Sequence, residues 1–410
     1  MECRITIEIS NKTLNTMKKL FLLCMLACTF VTAKANDGSF HANGNQLIPI
    51  AETDISVKKE VLTINRVGNH LEVNVYYEFF NPVKAKDLLV GFEIEPPYPY
   101  EDEYMVLYPE QPYMHNFKVI VNDEALNYQI AHVSNGYYDY NKDERVVPKY
   151  YINGKMQDWS RQQCEDSLKA NGYFEMPFRY VYYFNVHFRE GLNIVQHTYD
   201  FNMSGSVEEE FRFNYILTAA NRWANNGIDD FTLEINMGDR ESFMVQPYFF
   251  KDAKEWTING KGKVTKETEW GFAVENGSPV FHLQEGSIIY KKKNFHPEGE
   301  LAITKRYDMV SYYIEAFSDD WSGEDVVETM KNLYHQLSAD YYQNYLSKFT
   351  PEYRRIMRNI PFAYRGHVFK DAKLRQYFES TSWYLPDPDY KDNMEDLTPK
   401  EKEWVSFWSK

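Results

Sequence analysis

The chain is short of cysteine. Of its four, Cys3, Cys24 and Cys28 fall within the first 35 residues, which leaves Cys164 alone in the remainder. One thiol cannot close an internal disulfide, so burial has to hold the body together. Long apolar runs are also scarce. Leu20–Val31 stands out, and it is shorter than the roughly 20 residues of a membrane-spanning helix; no transmembrane helix is expected in the mature chain. Basic residues are in deficit, with 45 Lys+Arg against 60 Asp+Glu and a net charge of −15. With no basic stripe to offset it, this balance excludes nucleic acid as a partner and disfavours anionic lipid surfaces. Signatures of catalysis are missing as well: His-Glu-x-x-His, Gly-x-Ser-x-Gly and a phosphate loop are all absent.

The apolar run itself is informative. Met17-Lys18-Lys19 precedes it and Ala33-Lys34-Ala35 follows. A short basic region, an apolar core and a small-x-small site make a secretory signal peptide. Residues 1–35 therefore read as leader and signal, with the true start at Met17 and the mature protein beginning at Asn36. The expected location is secreted or periplasmic. Met25-Leu26-Ala27-Cys28 loosely matches a bacterial lipoprotein signature, so lipid anchoring at Cys28 is the alternative.

Residues 36–320 read as a mainly β body, an antiparallel β-sandwich that is either one large unit or two consecutive ones. Leu71, Val73, Val75, Tyr77 and Phe79 alternate with Glu72, Asn74 and Glu78, which is the period of a half-buried strand. With Ile55–Ile64 and the turn Gly68-Asn69 they form a hairpin. Further strands are expected at Leu88–Ile94, Phe117–Val121 and Leu126–Ile130. A helix is expected over Ser160–Asn171, burying Cys164. A second hairpin is expected from Phe178–Phe188 and Asn193–Phe201, followed by strands at Glu210–Thr218, Phe231–Asn236 and Phe243–Phe250. Gly260-Lys261-Gly262 is expected to turn between Trp256–Ile258 and Lys263–Glu267, and Val280–Leu283 with Ser287–Tyr290 to close the body as a last hairpin. From Val326 the period becomes helical, giving a connecting helix over 321–350 and a compact helical piece over 351–410.

Chemistry-bearing clusters are few. His187 and His197 are expected on neighbouring strands, yet not opposite one another. Asp139-x-Asn141-x-Asp143 opens like a calcium loop but lacks the Gly and Glu that an EF-hand needs. No catalytic residues, metal ligands or cofactor are assigned. Glu95–Tyr113 packs five Pro, five Tyr and five acids into nineteen residues; Pro bars it from a central strand. Tyr98, Tyr100, Tyr104 and Tyr108 in this loop are the candidate contacts to glycan or protein by stacking.

The C-terminal piece contains Arg358-Asn359, then Phe362-Ala363-Tyr364-Arg365-Gly366, Phe369, Leu374, Tyr377-Phe378 and Trp383-Tyr384. It resembles the YARHG domain, a small extracellular bacterial module. Tyr364 and Arg365 stand where that family has Arg-His, and His367 takes the next aromatic position. The residues themselves suggest short helices closing one core, with Arg358, Asn359 and Arg365 tying it by hydrogen bonds. The resemblance implies work outside the cell and no established chemistry. The body, through Asn36-Asp37-Gly38, the hairpin Ile55–Pro82, Tyr215-Ile216-Leu217-Thr218, Trp223 and Ile228, looks similar to a family of secreted bacterial β-rich proteins without an assigned activity. The reading is a non-enzymatic cell-envelope protein that binds an envelope glycan, peptidoglycan or a protein. The alternative is a glycan or peptide hydrolase using paired carboxylates in the β body.

Overall fold

The computed structural model describes residues 46–49, 54–94, 108–134, 137–139, 144–146, 151–170, 178–205, 209–266, 277–306, 351–381 and 383–409. The expected signal segment with Cys28, Tyr98, Tyr100, Tyr104, Asn141, Asp143 and the expected connecting helix over 321–350 lie outside the described residues. Among the described residues, no helix is long and apolar enough to cross a membrane.

The chain is mainly β, with antiparallel sheets and helices near its C-terminus. In chain order the first strands are β1 (Gln46–Pro49), β2 (Ser56–Val67), β3 (His70–Asn81), β4 (Lys86–Ile94), β5 (Met114–Val121), β6 (Glu124–Ala125) and β7 (Gln129–Ser134). Short ribbons follow, β8 (Tyr137–Asp139) with β9 (Glu144–Val146) and β10 (Tyr151–Ile152) with β11 (Lys155–Met156), and then helix α1 (Arg161–Ala170). The second half holds β12 (Phe178–Phe188), β13 (Gly191–Asn202), β14 (Glu209–Tyr215), β15 (Ile228–Asn236), β16 (Glu241–Val245), β17 (Trp256–Lys266), β18 (Pro279–Phe295) and β19 (Leu301–Arg306). Helices α2 (Pro351–Tyr364), α3 (Ala372–Glu379) and α4 (Pro399–Trp408) end the chain.

Two sheets share one core. The larger has eleven strands in the order β14-β19-β16-β18-β15-β2-β3-β13-β5-β6, with β17 on β18; the smaller runs β1-β4-β12-β7. Among the described residues all strand pairings are antiparallel except that of β15 with β2, which fuses the first and second halves of the body into one sheet. Period-two alternation decides which residues meet between the sheets. Phe92 of β4 lies 5.1 Å from Phe117 and 5.3 Å from both His197 and Tyr199, ring to ring. Phe188 of β12 meets Phe79 at 5.7 Å. Under the second half, Trp256, Tyr290, Phe249 and Phe281 form a further aromatic layer of the same core. Aromatic side chains suit this setting because each buries a large area with few rotatable bonds. Part of the abundant Tyr is thus spent on packing: Tyr77, Tyr180, Tyr182, Tyr199, Tyr215 and Tyr290 are all fully buried.

Three local expectations are corrected. First, β12 and β13 are consecutive yet are not a hairpin: β12 pairs with β4 and β7, β13 with β3 and β5. The corner between them is clamped by buried Asn193, whose side chain accepts from Arg189 N at 2.9 Å and donates to Arg189 O at 2.9 Å. That clamp lets the chain switch sheets. Second, Gly260-Lys261-Gly262 is no turn. β17 continues through it with a bulge at Lys261/Gly262, and Gly260 faces Gly286 across the ladder. Both glycines have positive φ, 138° and 104°, and a Cβ on either would collide with the facing backbone. Glycine here marks a bulge and a close approach. Third, Val280–Leu283 and Ser287–Tyr290 are one strand, β18, because Gly286 belongs to that same close approach.

Candidate functional site

The alternation that buries one face of β3 and β13 presents the other to solvent. From β3 this outer face carries His70, Glu72, Asn74 and Tyr76; from β13 it carries Gln196, Thr198, Asp200 and Asn202. Register sets these side by side, Glu72 opposite Asp200 and His70 opposite Asn202. β2 adds Val61 and Thr63 on one flank, and β5 adds Lys118 and Ile120 on the other. The result is an open groove of about 250 Å³ lined by Val61, Thr63, Asn74, Tyr76, Gln196 and Thr198, together with Lys118 and Ile120.

Its chemistry is that of hydrogen bonding around one aromatic ring. Asn74, Gln196, Thr63 and Thr198 offer both donors and acceptors, and Lys118 offers a charged donor. Tyr76 donates to Glu78 Oε1 at 3.1 Å. Burial and the Glu78 carboxylate hold the Tyr76 phenol above its ordinary value, so it stays protonated. Beyond Asn74 and Thr198 the groove runs into His70, Glu72 and Asp200, whose ligand atoms lie within 4.8 Å of one another. A bulge in β5 brings Asn116, at φ 55°, against this end, and its Nδ2 donates to Asp200 Oδ2 at 2.6 Å.

Among the described residues, three arrangements that could suggest hydrolysis are otherwise engaged. Glu210 and Glu241 are paired carboxylates, but Lys305 lies between them at 3.0 and 2.6 Å and Arg66 reaches Glu241 at 2.6 Å. Burial alone would lower Lys305; the two carboxylates outweigh it and raise its pKa. Both carboxylates are thus held in ion pairs with Lys305 and Arg66. Ser242 Oγ meets His282 Nδ1 at 2.8 Å, which superficially suggests a nucleophile and base. The other ring nitrogen meets the Thr265 hydroxyl at 2.8 Å rather than a carboxylate. Burial, aided by the Lys263 charge, pushes His282 down to about 4. It is a buried imidazole satisfied by two hydroxyls. Cys164 is fully buried, and burial pushes its thiol up to about 12, which keeps it from acting as a nucleophile.

The residues singled out from sequence fall elsewhere. Tyr108 is exposed, and its carbonyl accepts from Tyr180 and contacts the His132 ring, both at 3.2 Å, on the four-stranded sheet rather than at the groove. His187 and His197 are not on neighbouring strands: His187 is exposed beside Asp87 at 2.8 Å, and His197 is in the core. In the C-terminal piece, Ala363, Gly366, Phe369, Phe378 and Tyr384 are buried, Phe362 and Trp383 are half-buried and Tyr377 is exposed. Phe369 stacks on Phe378 at 4.7 Å, and Tyr384 donates to His367 O at 2.7 Å. Arg365 holds Glu401 in a two-pronged pair, both bonds 2.7 Å. Asn359 instead bonds Arg355 O of its own helix at 2.6 Å, and Arg358 is half-buried on the same helix. The helical piece docks on the β body through Tyr364 to Arg240 O at 2.8 Å, Lys263 to Tyr384 O at 2.8 Å and Gln284 to Asp387 at 3.0 Å.

The groove and its acidic end escaped sequence reading because β3 and β13 are more than a hundred residues apart. The outward face of β3 was visible in its alternation; its partner strand was not. Trp404 and Trp408, both buried in the C-terminal core, were also missed. Their four-residue spacing after Thr398-Pro399 was the available signal.

Comparison with curated proteins finds no match. Among solved structures, the chain is similar to a candidate nutrient-binding protein from Legionella pneumophila, 17% identical, covering 91% of this chain and 99% of that one with a TM-score of 0.45. The family comparison supports the resemblance of the C-terminal piece and begins it earlier in the chain: a YARHG domain is detected at residues 330–410.

Proposed function

We propose that this is a non-enzymatic protein of the bacterial cell envelope, exported through Met17–Ala35, that binds an envelope glycan or peptidoglycan along the outer face of β2, β3, β13 and β5. One observation carries the reading. The groove combines the Tyr76 ring with Asn74, Gln196, Thr63 and Thr198, a set suited to a ligand rich in hydroxyl and amide groups. An aromatic ring offers a face for the apolar side of a sugar, while amides and hydroxyls satisfy its rim. The acidic surface is compatible with an uncharged or zwitterionic ligand and disfavours polyanions. The described part of the YARHG domain bonds Arg240 just before β16, Lys263 of β17 and Gln284 of β18, none of which lines the groove. Tyr98, Tyr100, Tyr104 and Tyr108 are a second proposed set of contacts.

Retention on purified sacculi tests this. The intact protein should sediment with sacculi, and Tyr76→Ala combined with Gln196→Ala should reduce retention at least fivefold while the circular dichroism stays unchanged. Unaltered retention in that variant would sink the groove reading. Steady release of soluble sugars or peptides by the pure protein, abolished by changing one carboxylate, would replace it with hydrolysis.

A further inference from the structure

We infer that His70, Glu72 and Asp200 form a binding site for a divalent transition-metal ion of the Zn²⁺ type at the end of the groove. Glu72 and Asp200 face each other directly across the β3–β13 ladder. Like charges in that relation destabilise a sheet. By contrast, the Glu210–Glu241 pair encloses Lys305 and Arg66, and the single carboxylates Glu93 and Asp229 are met by Arg179 and Arg222 and by Lys58. Glu72 and Asp200 have no Lys or Arg within ion-pair distance among the described residues. The third member, His70, adds an imidazole nitrogen within 4.8 Å of both carboxylates.

The donor set points to the kind of ion. One ring nitrogen with two carboxylates suits Zn²⁺ or Mn²⁺ better than Ca²⁺, which prefers six to eight oxygens. Metal–ligand bonds of about 2.0–2.2 Å require the ligand atoms to close in from their present spread of up to 4.8 Å. Glu72 is exposed and His70 half-exposed, so both have rotamer freedom to do so. Asp200 is the fixed point. Asn116 holds its Oδ2 at 2.6 Å, the outer-shell contact that orients a ligating carboxylate, and leaves the other oxygen for the ion. Three protein ligands leave open coordination positions next to Asn74 and Thr198, one step further along the ladder. The site stands on its own geometry and does not depend on what the groove binds.

The test is calorimetric titration of ZnCl₂ into the chelator-stripped full chain, with thermal melts alongside. One equivalent should bind and raise the melting temperature. The double variant Glu72→Gln, Asp200→Asn should lose both effects, and His70→Ala should weaken binding at least tenfold. His187→Ala, which removes an exposed imidazole elsewhere, should bind as the parent does. Without metal, Glu72→Gln should melt no lower than the parent, because it removes a like-charge pair; this keeps loss of binding distinct from loss of fold. No saturable binding, or binding unchanged in the double variant, overturns the assignment. Equal affinity for Ca²⁺ overturns the choice of ion.

Discussion

Taking the protein from pH 7 to pH 4 is expected to cost about 3 kcal/mol of stability through His197 alone. This imidazole is fully buried among Phe92, Tyr77, Phe117 and Tyr199. Neither ring nitrogen has a hydrogen-bond partner. Burial disfavours the charged form and pushes His197 down to about 3. The unfolded chain takes up the proton near the ordinary value of about 6.5, whereas the folded chain resists it. Stability is therefore fully present above that value and falls as the pH drops from about 6.5 towards 3. His282, pushed down to about 4 by burial and then by Lys263, contributes in the same direction over a narrower range. His197→Leu keeps the volume and removes the titration. Urea unfolding at pH 7 and pH 4 should show the variant losing about 3 kcal/mol less than the parent over that interval. At pH 7 it should be at least as stable, since an unpaired buried polar group costs about 1–3 kcal/mol. Equal losses in parent and variant would falsify this account of His197.

Arg365→Ala is expected to destabilise the helical module by about 3–5 kcal/mol. The arginine leaves α2 and meets both oxygens of Glu401 at 2.7 Å, and it also donates to Pro361 O at 2.9 Å. Burial would lower its pKa, but the Glu401 carboxylate outweighs that effect and raises it. Glu401 has a second duty. Thr398 N donates to it at 2.8 Å, and Glu401 N donates to the Thr398 hydroxyl at 3.2 Å. This reciprocal pair starts α4 just before Pro399, where a missing N–H costs nothing. Removing the guanidinium leaves a buried carboxylate without its counter-charge at the start of the helix that carries Trp404 and Trp408. The Trp404 indole donates to Met357 O of α2 at 2.8 Å, so the two helices should loosen together. Hydrogen exchange of α2 and α4 amides is the direct measurement. Protection should fall by at least a hundredfold in Arg365→Ala and by less in Arg365→Lys, which keeps the charge but cannot grip both oxygens. Unchanged protection in the alanine variant would show that packing alone holds the module.

Local pattern was enough for much of this protein. Alternation in Leu71–Phe79 identified β3 and its wet face, because successive side chains of a strand must point to opposite sides. The aromatic spacing from Phe362 to Tyr384 identified the YARHG domain, because a small helical core is built from residues close in sequence. The deficit of basic residues and the scarcity of cysteine were legible in the same way, being properties of composition. Where the reading went astray, the cause was non-local. Glycines at 260 and 286 look like turns until the strand that faces each is known. Phe178–Phe188 and Asn193–Phe201 look like a hairpin until Asn193 is seen to clamp a corner between sheets. The groove and the His70–Glu72–Asp200 cluster were decided by tertiary structure alone. They exist because β13 lies against β3 in one register, and a shift of a single residue would turn every side chain of the strand to the other face. Short-range sequence carries the period of a strand but not the identity of its partner; that choice is made by the core between the two sheets.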